Sequence, residues 1–89
     1  MAWRIEYDPG AEKDLSKLDR PIAKRIVQFM GQRVAKLDDP RSLGEALKGS
    51  TLGNFWQYRV GDYRIIVDIQ DQLLCVYVVQ VGDRKHVYR

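Results

Sequence analysis

The run Trp56-Gln57-Tyr58-Arg59-Val60-Gly61-Asp62-Tyr63-Arg64-Ile65-Ile66-Val67 leaves this chain few ways to fold. Aromatic and β-branched residues, which suit a pleated surface, flank a Gly-Asp pair on both sides. A two-residue loop that begins with glycine matches the twist of antiparallel strands, so the run reads as a β-hairpin. With Gly61-Asp62 as the loop, Val60 faces Tyr63 and Arg59 sits directly opposite Arg64. Phe55, Gln57, Ile66 and Asp68 share the arginine face. Trp56, Tyr58, Val60, Tyr63, Ile65, Val67 and Ile69 form the other face, which is more uniformly apolar and is expected to lie against helices.

Two guanidiniums as a cross-strand pair repel, so the fold gains nothing from that placement. A site that grips phosphate does, because arginine offers a planar fork of donors to anionic oxygens. The plainer reading is two solvated arginines on an open sheet face.

The hairpin needs partners, and the rest of the chain supplies them. Trp3-Arg4-Ile5-Glu6-Tyr7 alternates as a short half-buried strand. Asp8-Pro9 then opens a helix, with Ala11, Leu15 and Leu18 inside and Glu12, Lys13, Asp14 and Lys17 outside. Asp19-Arg20-Pro21 opens a second helix, which is expected to end before Asp38-Asp39-Pro40. Ile22, Ile26, Phe29, Met30 and Leu37 form its stripe, flanked by Ala23, Val27 and Val34. Lys24, Arg25, Arg33 and Lys36 read either as a track for a nucleic-acid backbone or as a solvated helix face. Residues 40–53 read as a loop, weakly helical from Ser42 to Leu47, with Leu43 and Leu47 plugging the sheet edge. After the hairpin, a tight turn at Asp71-Gln72 leads into the apolar run Leu73–Val81. With two residues in that turn, Arg64 would neighbour Val79. The arginine face would then have an apolar floor of Ile66, Cys75, Tyr77, Val79 and Val81, a patch large enough to demand a tight partner.

The expected fold is therefore α+β: a small twisted, mainly antiparallel sheet in the order β-α-α-β-β-β, with a helical hairpin packed on one face. Residues 1–89 make a single domain. Net charge is +3, and basic and acidic residues are nearly balanced in each half, eight and seven up to residue 40, then seven and five. Bulk charge does not by itself imply nucleic acid, but Arg84, Lys85 and Arg89 make a local basic cluster near the C-terminus. The lone Cys75 excludes an internal disulfide and reads as a buried filler. No run reaches the roughly 18 apolar residues of a membrane helix, so a soluble, cytoplasmic protein without a membrane partner is expected.

The polar candidates are Arg59, Arg64, Arg84, Lys85, His86, Tyr88 and Gln57. One histidine, one cysteine and no carboxylates at ligand spacing leave no metal set, and no glycine-rich phosphate loop precedes a helix. No serine or cysteine nucleophile has a convincing base. A basic cluster with one imidazole and one phenol suits cleavage of RNA without metal or cofactor. There the substrate's own 2′-hydroxyl attacks, and the protein supplies a base, cations and an acid.

The element order, the segment Tyr58-Arg59-Val60-Gly61-Asp62-Tyr63-Arg64 and the ending Val81-Gly82-Asp83-Arg84-Lys85-His86-Val87-Tyr88 resemble the RelE family of bacterial toxins over essentially the whole chain. The resemblance implies a type II toxin–antitoxin system. Its toxin cleaves mRNA in the ribosomal A site and is neutralised by a RelB-like antitoxin, with operator DNA reached only through that antitoxin. It also implies roles. Arg64 would stabilise the scissile phosphate and Arg84 would protonate the leaving oxygen. Tyr88 would stack on a base and orient the 2′-hydroxyl, and Arg59 falls near a charge-neutralising lysine. Gln57 stands where the family's best-known members carry a lysine as general base. Glutamine cannot take a proton, and His86 is the expected substitute. Gln57, Lys48, Lys85 and Arg89 are expected to touch RNA, including the rRNA on which the toxin docks. The same fold hosts ParE-type toxins that poison DNA gyrase. A silent corepressor that only binds antitoxin is a third reading of the resemblance.

Overall fold

The computed structural model describes residues 2–47 and 55–83. In chain order its elements are β1 (Arg4–Tyr7), α1 (Pro9–Ser16), α2 (Arg20–Gln32), β2 (Glu45–Ala46), β3 (Phe55–Val60), β4 (Tyr63–Gln70) and β5 (Cys75–Asp83). The strands form one sheet in the order β1-β5-β4-β3-β2. β1 runs parallel to β5, and the other pairs are antiparallel. The α+β class is as expected. The chain leaves β1, crosses one face as two helices, enters the sheet at its far edge and meanders back. Its first and last strands therefore meet as a parallel pair, and the sheet is otherwise antiparallel, in keeping with the mainly antiparallel sheet expected.

The core lies between the helices and one sheet face. Ile26, Met30 and Val34 are fully buried against Tyr58, Ile65, Val67, Ile69, Val76 and Val78. The second helix stops earlier than its periodicity predicts. It ends at Gln32, and a 3₁₀ turn at Val34–Lys36 takes over. That tighter turn still delivers Val34 to the core, and it offers the Ala35 carbonyl to the Trp3 amide at 2.8 Å. The Trp3 indole donates to the Asp38 carbonyl at 3.3 Å, which ties the N-terminal segment to the chain leaving α2.

Two aspartates do more than the sequence indicates. The Asp8 carboxylate caps α1 by accepting from the Gly10 amide at 2.9 Å, and it also accepts from the Tyr77 hydroxyl at 2.7 Å. Asp14, placed outside by periodicity, accepts from the Val81 amide at 3.0 Å. β1 pairing ends at Tyr7 opposite Val78, so a helix side chain serves this later stretch of β5 where strand pairing has stopped.

The hydrogen bonds from Tyr77, then from Gly10, hold the Asp8 carboxyl below its ordinary pKa. A carboxyl depressed on folding stabilises the fold above its unfolded pKa, and that contribution disappears as pH falls through the folded value. Urea unfolding should therefore show stability dropping below about pH 4. Asp8→Asn, which still caps, should flatten that decline. An unchanged decline would place the acid sensitivity elsewhere.

The connection after β4 differs from the two-residue turn expected. Four residues, Asp71 to Leu74, join the strands, with Leu74 in the left-handed region at φ +48°. A bulge then shifts the register between Ile66 and Val67: Ile66 pairs with Gln80 and Val67 with Val78. The longer turn and the bulge together place Arg64 opposite Gly82 rather than beside Val79. The bulge also switches which residues of β5 face inward. Val76 and Val78 are buried before it and Val81 after it, so Val81 belongs to the core, not to the floor under the arginines.

That floor is not an open apolar patch. Ile66 is 6% exposed and Cys75 1%, while Tyr77 is tied to Asp8. The inference of a partner from exposed apolar area therefore falls. The edge plug is also different. Leu43 is 40% exposed, and Pro40 is the buried residue, its carbonyl receiving the Tyr58 hydroxyl at 2.6 Å. The weakly helical stretch is a 3₁₀ turn at Pro40–Leu43 followed by β2. Arg41 fastens this corner. It makes a two-pronged pair with Asp71 and lies 5.8 Å from the Trp56 ring centre. Among the described residues no helix is long and apolar enough to cross a membrane.

Candidate functional site: an arginine pair on a hairpin

β3 and β4 form the hairpin in the register that the sequence predicts, Val60 opposite Tyr63 and Arg59 opposite Arg64. Gly61 carries the turn at φ +60°. An added Cβ there would meet nothing nearer than Arg25 Nη2 at 4.0 Å, so the constraint is the backbone and not space. Gly61→Ala should cost about 1–2 kcal/mol in urea unfolding, the penalty of the left-handed region for an L-residue. A neutral substitution would mean that the turn relaxes to another type.

The fold resolves the like-charge conflict by treating the two arginines differently. Arg64 is half-buried, and its Nη1 donates to Gln57 Oε1 at 3.0 Å. Gln57 is itself only 8% exposed, so a buried amide orients this guanidinium. Arg59 is mostly exposed, with Nη2 3.8 Å from Glu45 Oε1 on β2. An exposed pair at that distance contributes about 0–1 kcal/mol and yields readily to a stronger anion. Arg59, Gly61, Asp62, Tyr63 and Arg64 line a hollow of about 60 Å³ at the turn. On its other side Arg64 faces Gly82, which has no side chain to crowd it, and Tyr63 pairs with Asp83. The outcome is one oriented guanidinium and one adjustable guanidinium at the same turn, open to an anionic group.

Of the expected site residues, Arg59, Arg64 and Gln57 are thus brought together on one face. Lys48, Arg84, Lys85, His86, Tyr88 and Arg89 lie outside the described residues. Sequence reasoning missed Glu45, because a two-residue strand has no periodicity to detect. It also missed the use of Gln57. The signal was available there, since Gln57 lies two residues before Arg59 and therefore on the same face.

A family model described as the ParE toxin of type II toxin-antitoxin system, parDE, matches residues 5–88. The chain belongs to that toxin family. Among curated proteins this toxin is 28% identical to Toxin RelG of Mycobacterium tuberculosis, over 100% of this chain and 99% of that protein. It is 26% identical to the mRNA interferase toxin RelE of Escherichia coli, covering 96% of the toxin and 86% of the relative. Among solved structures it resembles the toxin–antitoxin complex RelBE2 of Mycobacterium tuberculosis, with a TM-score of 0.84, 25% identity, and 94% and 93% of the two chains covered. The intact Escherichia coli RelBE complex matches with a TM-score of 0.71 at 18% identity over 92% and 96%, a likeness of fold. The RelE-family resemblance read from the sequence holds: this is a RelE-family toxin of a type II toxin–antitoxin system.

Proposed function

We propose that the toxin is a ribosome-dependent mRNA endoribonuclease that works without metal. The observation that carries this reading is Arg64, oriented by the buried Gln57 amide beside the adjustable Arg59. Such a pair suits a phosphate that gains negative charge during reaction. In the proposed step the 2′-oxygen of the ribose attacks phosphorus and the bond to the 5′-oxygen of the next nucleotide breaks. The products are a 2′,3′-cyclic phosphate and a 5′-hydroxyl. Arg64 and Arg59 hold the non-bridging oxygens. His86 takes the 2′-hydroxyl proton, Arg84 returns one to the leaving oxygen, and Tyr88 stacks on a base to orient the 2′-hydroxyl. Gln57 does not take a proton and supports Arg64. Lys48, Lys85 and Arg89 contact the RNA backbone. The relatives named mRNA interferase support this activity.

The proposed partners are the ribosome with its mRNA, and a RelB-like antitoxin. Several structural neighbours are toxins solved as complexes with RelB-type proteins, which supports the antitoxin. The expected location is the cytoplasm, where ribosomes translate.

A second reading keeps one specific support, the ParE name of the matching family model. In that case the toxin poisons DNA gyrase. Pulse labelling after induction separates the two. The nuclease stops amino-acid incorporation within minutes and leaves supercoiling intact. A gyrase poison causes DNA damage first, with translation still running, and that order of events would overturn the proposal.

A further inference from the structure

Of the basic residues on α2, one is set apart by its position. Arg25 approaches the hairpin turn, its Nη2 4.0 Å from the position of a Gly61 Cβ. Ile22 and Arg25 are three residues apart and share a helix face, whereas Lys24 lies on another side. Arg33 is engaged elsewhere, 5.9 Å from the centre of the Phe29 ring. Arg25 has no carboxylate within ion-pairing distance among the described residues, while Arg4 and Arg59 each have one and Arg41 has two.

Between α2 and the turn is a hollow of about 290 Å³, lined by Ile22, Arg25, Val60, Gly61, Asp62 and Tyr63. It shares Gly61, Asp62 and Tyr63 with the smaller hollow that holds Arg59 and Arg64. The two hollows therefore lie on either side of one turn. The larger is close to the lower size of ligand pockets. Its chemistry is mixed. Ile22, Val60 and the Tyr63 ring give apolar walls, Arg25 gives a cation and Asp62 an acceptor. A bare anion would meet the Asp62 carboxylate. A nucleotide fits better: its phosphate goes to Arg25, and a ribose hydroxyl or base N–H goes to Asp62.

We infer that this hollow is a second nucleotide subsite, in which Arg25 holds the phosphate next to the one at Arg59 and Arg64. The inference rests on the nuclease reading for the identity of the strand, which is the mRNA being cut. The backbone then bends over the hairpin tip, with a guanidinium from α2 and those of the hairpin on successive phosphates.

The probe is a short single-stranded RNA with 2′-O-methyl riboses, uncleavable because its nucleophile is blocked. Its affinity for the toxin is measured against salt for wild type, Arg25→Ala, Arg25→Lys and Lys24→Ala. Arg25→Ala should make the slope of log K against log salt shallower by about 0.7, the share of one single-strand phosphate. It should also weaken binding by about threefold to tenfold at low salt, the salt-dependent value of a single phosphate contact. Arg25→Lys should recover most of both, and Lys24→Ala should match wild type. An unchanged slope in Arg25→Ala, or an equal change in Lys24→Ala, overturns the subsite.

Ribosomes carrying no mRNA separate the two possible sources of phosphate. Arg25→Ala should bind them as wild type does, and a matching loss there would assign the contact to rRNA and overturn the mRNA assignment. Cleavage on programmed ribosomes is read separately. Cleavage with an unaffected slope rejects the subsite alone. An altered slope without cleavage rejects the nuclease alone.

Discussion

Arg64→Ala is expected to slow single-turnover cleavage on programmed ribosomes by about 10²–10³-fold, the usual loss when one oriented donor to a developing oxyanion is removed. Ribosome binding should change by no more than about threefold, because one phosphate contact among many carries little of the docking energy. The asymmetry follows from the geometry. Arg64 is half-buried and oriented by Gln57, so it offers no broad surface for docking and costs no reorganisation when charge develops on phosphorus. Arg64→Lys keeps the charge but loses the planar fork, and it should recover only part of the rate. Gln57→Leu tests the same arrangement from beneath. It removes the Gln57 hydrogen bond from the guanidinium and should lower the saturating rate by about tenfold to a hundredfold, up to the scale of a misaligned catalytic group. Rapid-quench measurement at saturating toxin separates rate from affinity. Equal losses of rate and binding in Arg64→Ala would make it a docking residue.

The second large effect concerns stability. Tyr58 is 1% exposed, stacks edge-on against Phe29 with ring centres 5.9 Å apart, and donates to the Pro40 carbonyl. It joins sheet, α2 and the chain between α2 and β2 in one residue. Tyr58→Ala should cost about 3–5 kcal/mol. A chain of this length has about 4–13 kcal/mol in total. The variant should therefore unfold at a much lower urea concentration than wild type, and at the lower end of that range it populates unfolded protein at room temperature. Tyr58→Phe keeps the ring but removes the bond from the hydroxyl to the Pro40 carbonyl, and should cost about 0.5–1.5 kcal/mol, the net value of one hydrogen bond. Burial also raises the Tyr58 phenol well above its ordinary value of 10.0. A raised pKa means that the folded state holds the proton more tightly. The associated stability is complete below pH 10 and is lost as pH climbs beyond it. Urea unfolding of wild type should thus weaken above pH 10, and Tyr58→Phe should weaken less. An unchanged stability in Tyr58→Phe would contradict the role given to the Pro40 bond.

The sequence was most informative where local chemistry and long-range packing agree. Gly61-Asp62 sets its own turn, and the alternation around it fixes both faces, so the arginine pair and the inward Tyr58, Ile65, Val67 and Ile69 were legible. Asp8-Pro9 was legible as a helix start for the same reason. What was not legible depends on partners distant in the chain. The bulge opposite Ile66 and Val67 has no turn residue to mark it, yet it decides that Val81 is core and that Gly82 faces Arg64. The β1–β5 pairing joins segments about 70 residues apart, and parallel neighbours leave no hairpin signal. Asp14 reads as a solvated helix residue, and only the fold gives it the Val81 amide.

In the site, residue types were legible and their division of labour was not. Two arginines in register show that a phosphate could be gripped. They do not show that Gln57 orients one of them while Glu45 lightly holds the other, because that depends on burial and on a two-residue strand. The Gln57 departure accordingly has a physical sense. A lysine at a position this buried would meet Arg64 as a second cation, whereas an amide accepts its hydrogen bond.

The most direct test of the nuclease reading maps mRNA ends. Purified ribosomes carrying a programmed message with a vacant A site are mixed with the toxin or with Arg64→Ala, and the new ends are located and chemically typed. The account predicts a cut inside the A-site codon, a 2′,3′-cyclic phosphate upstream, a 5′-hydroxyl downstream, and loss of all three in the variant. An intact message with translation uninhibited would contradict it and make DNA gyrase the target to examine.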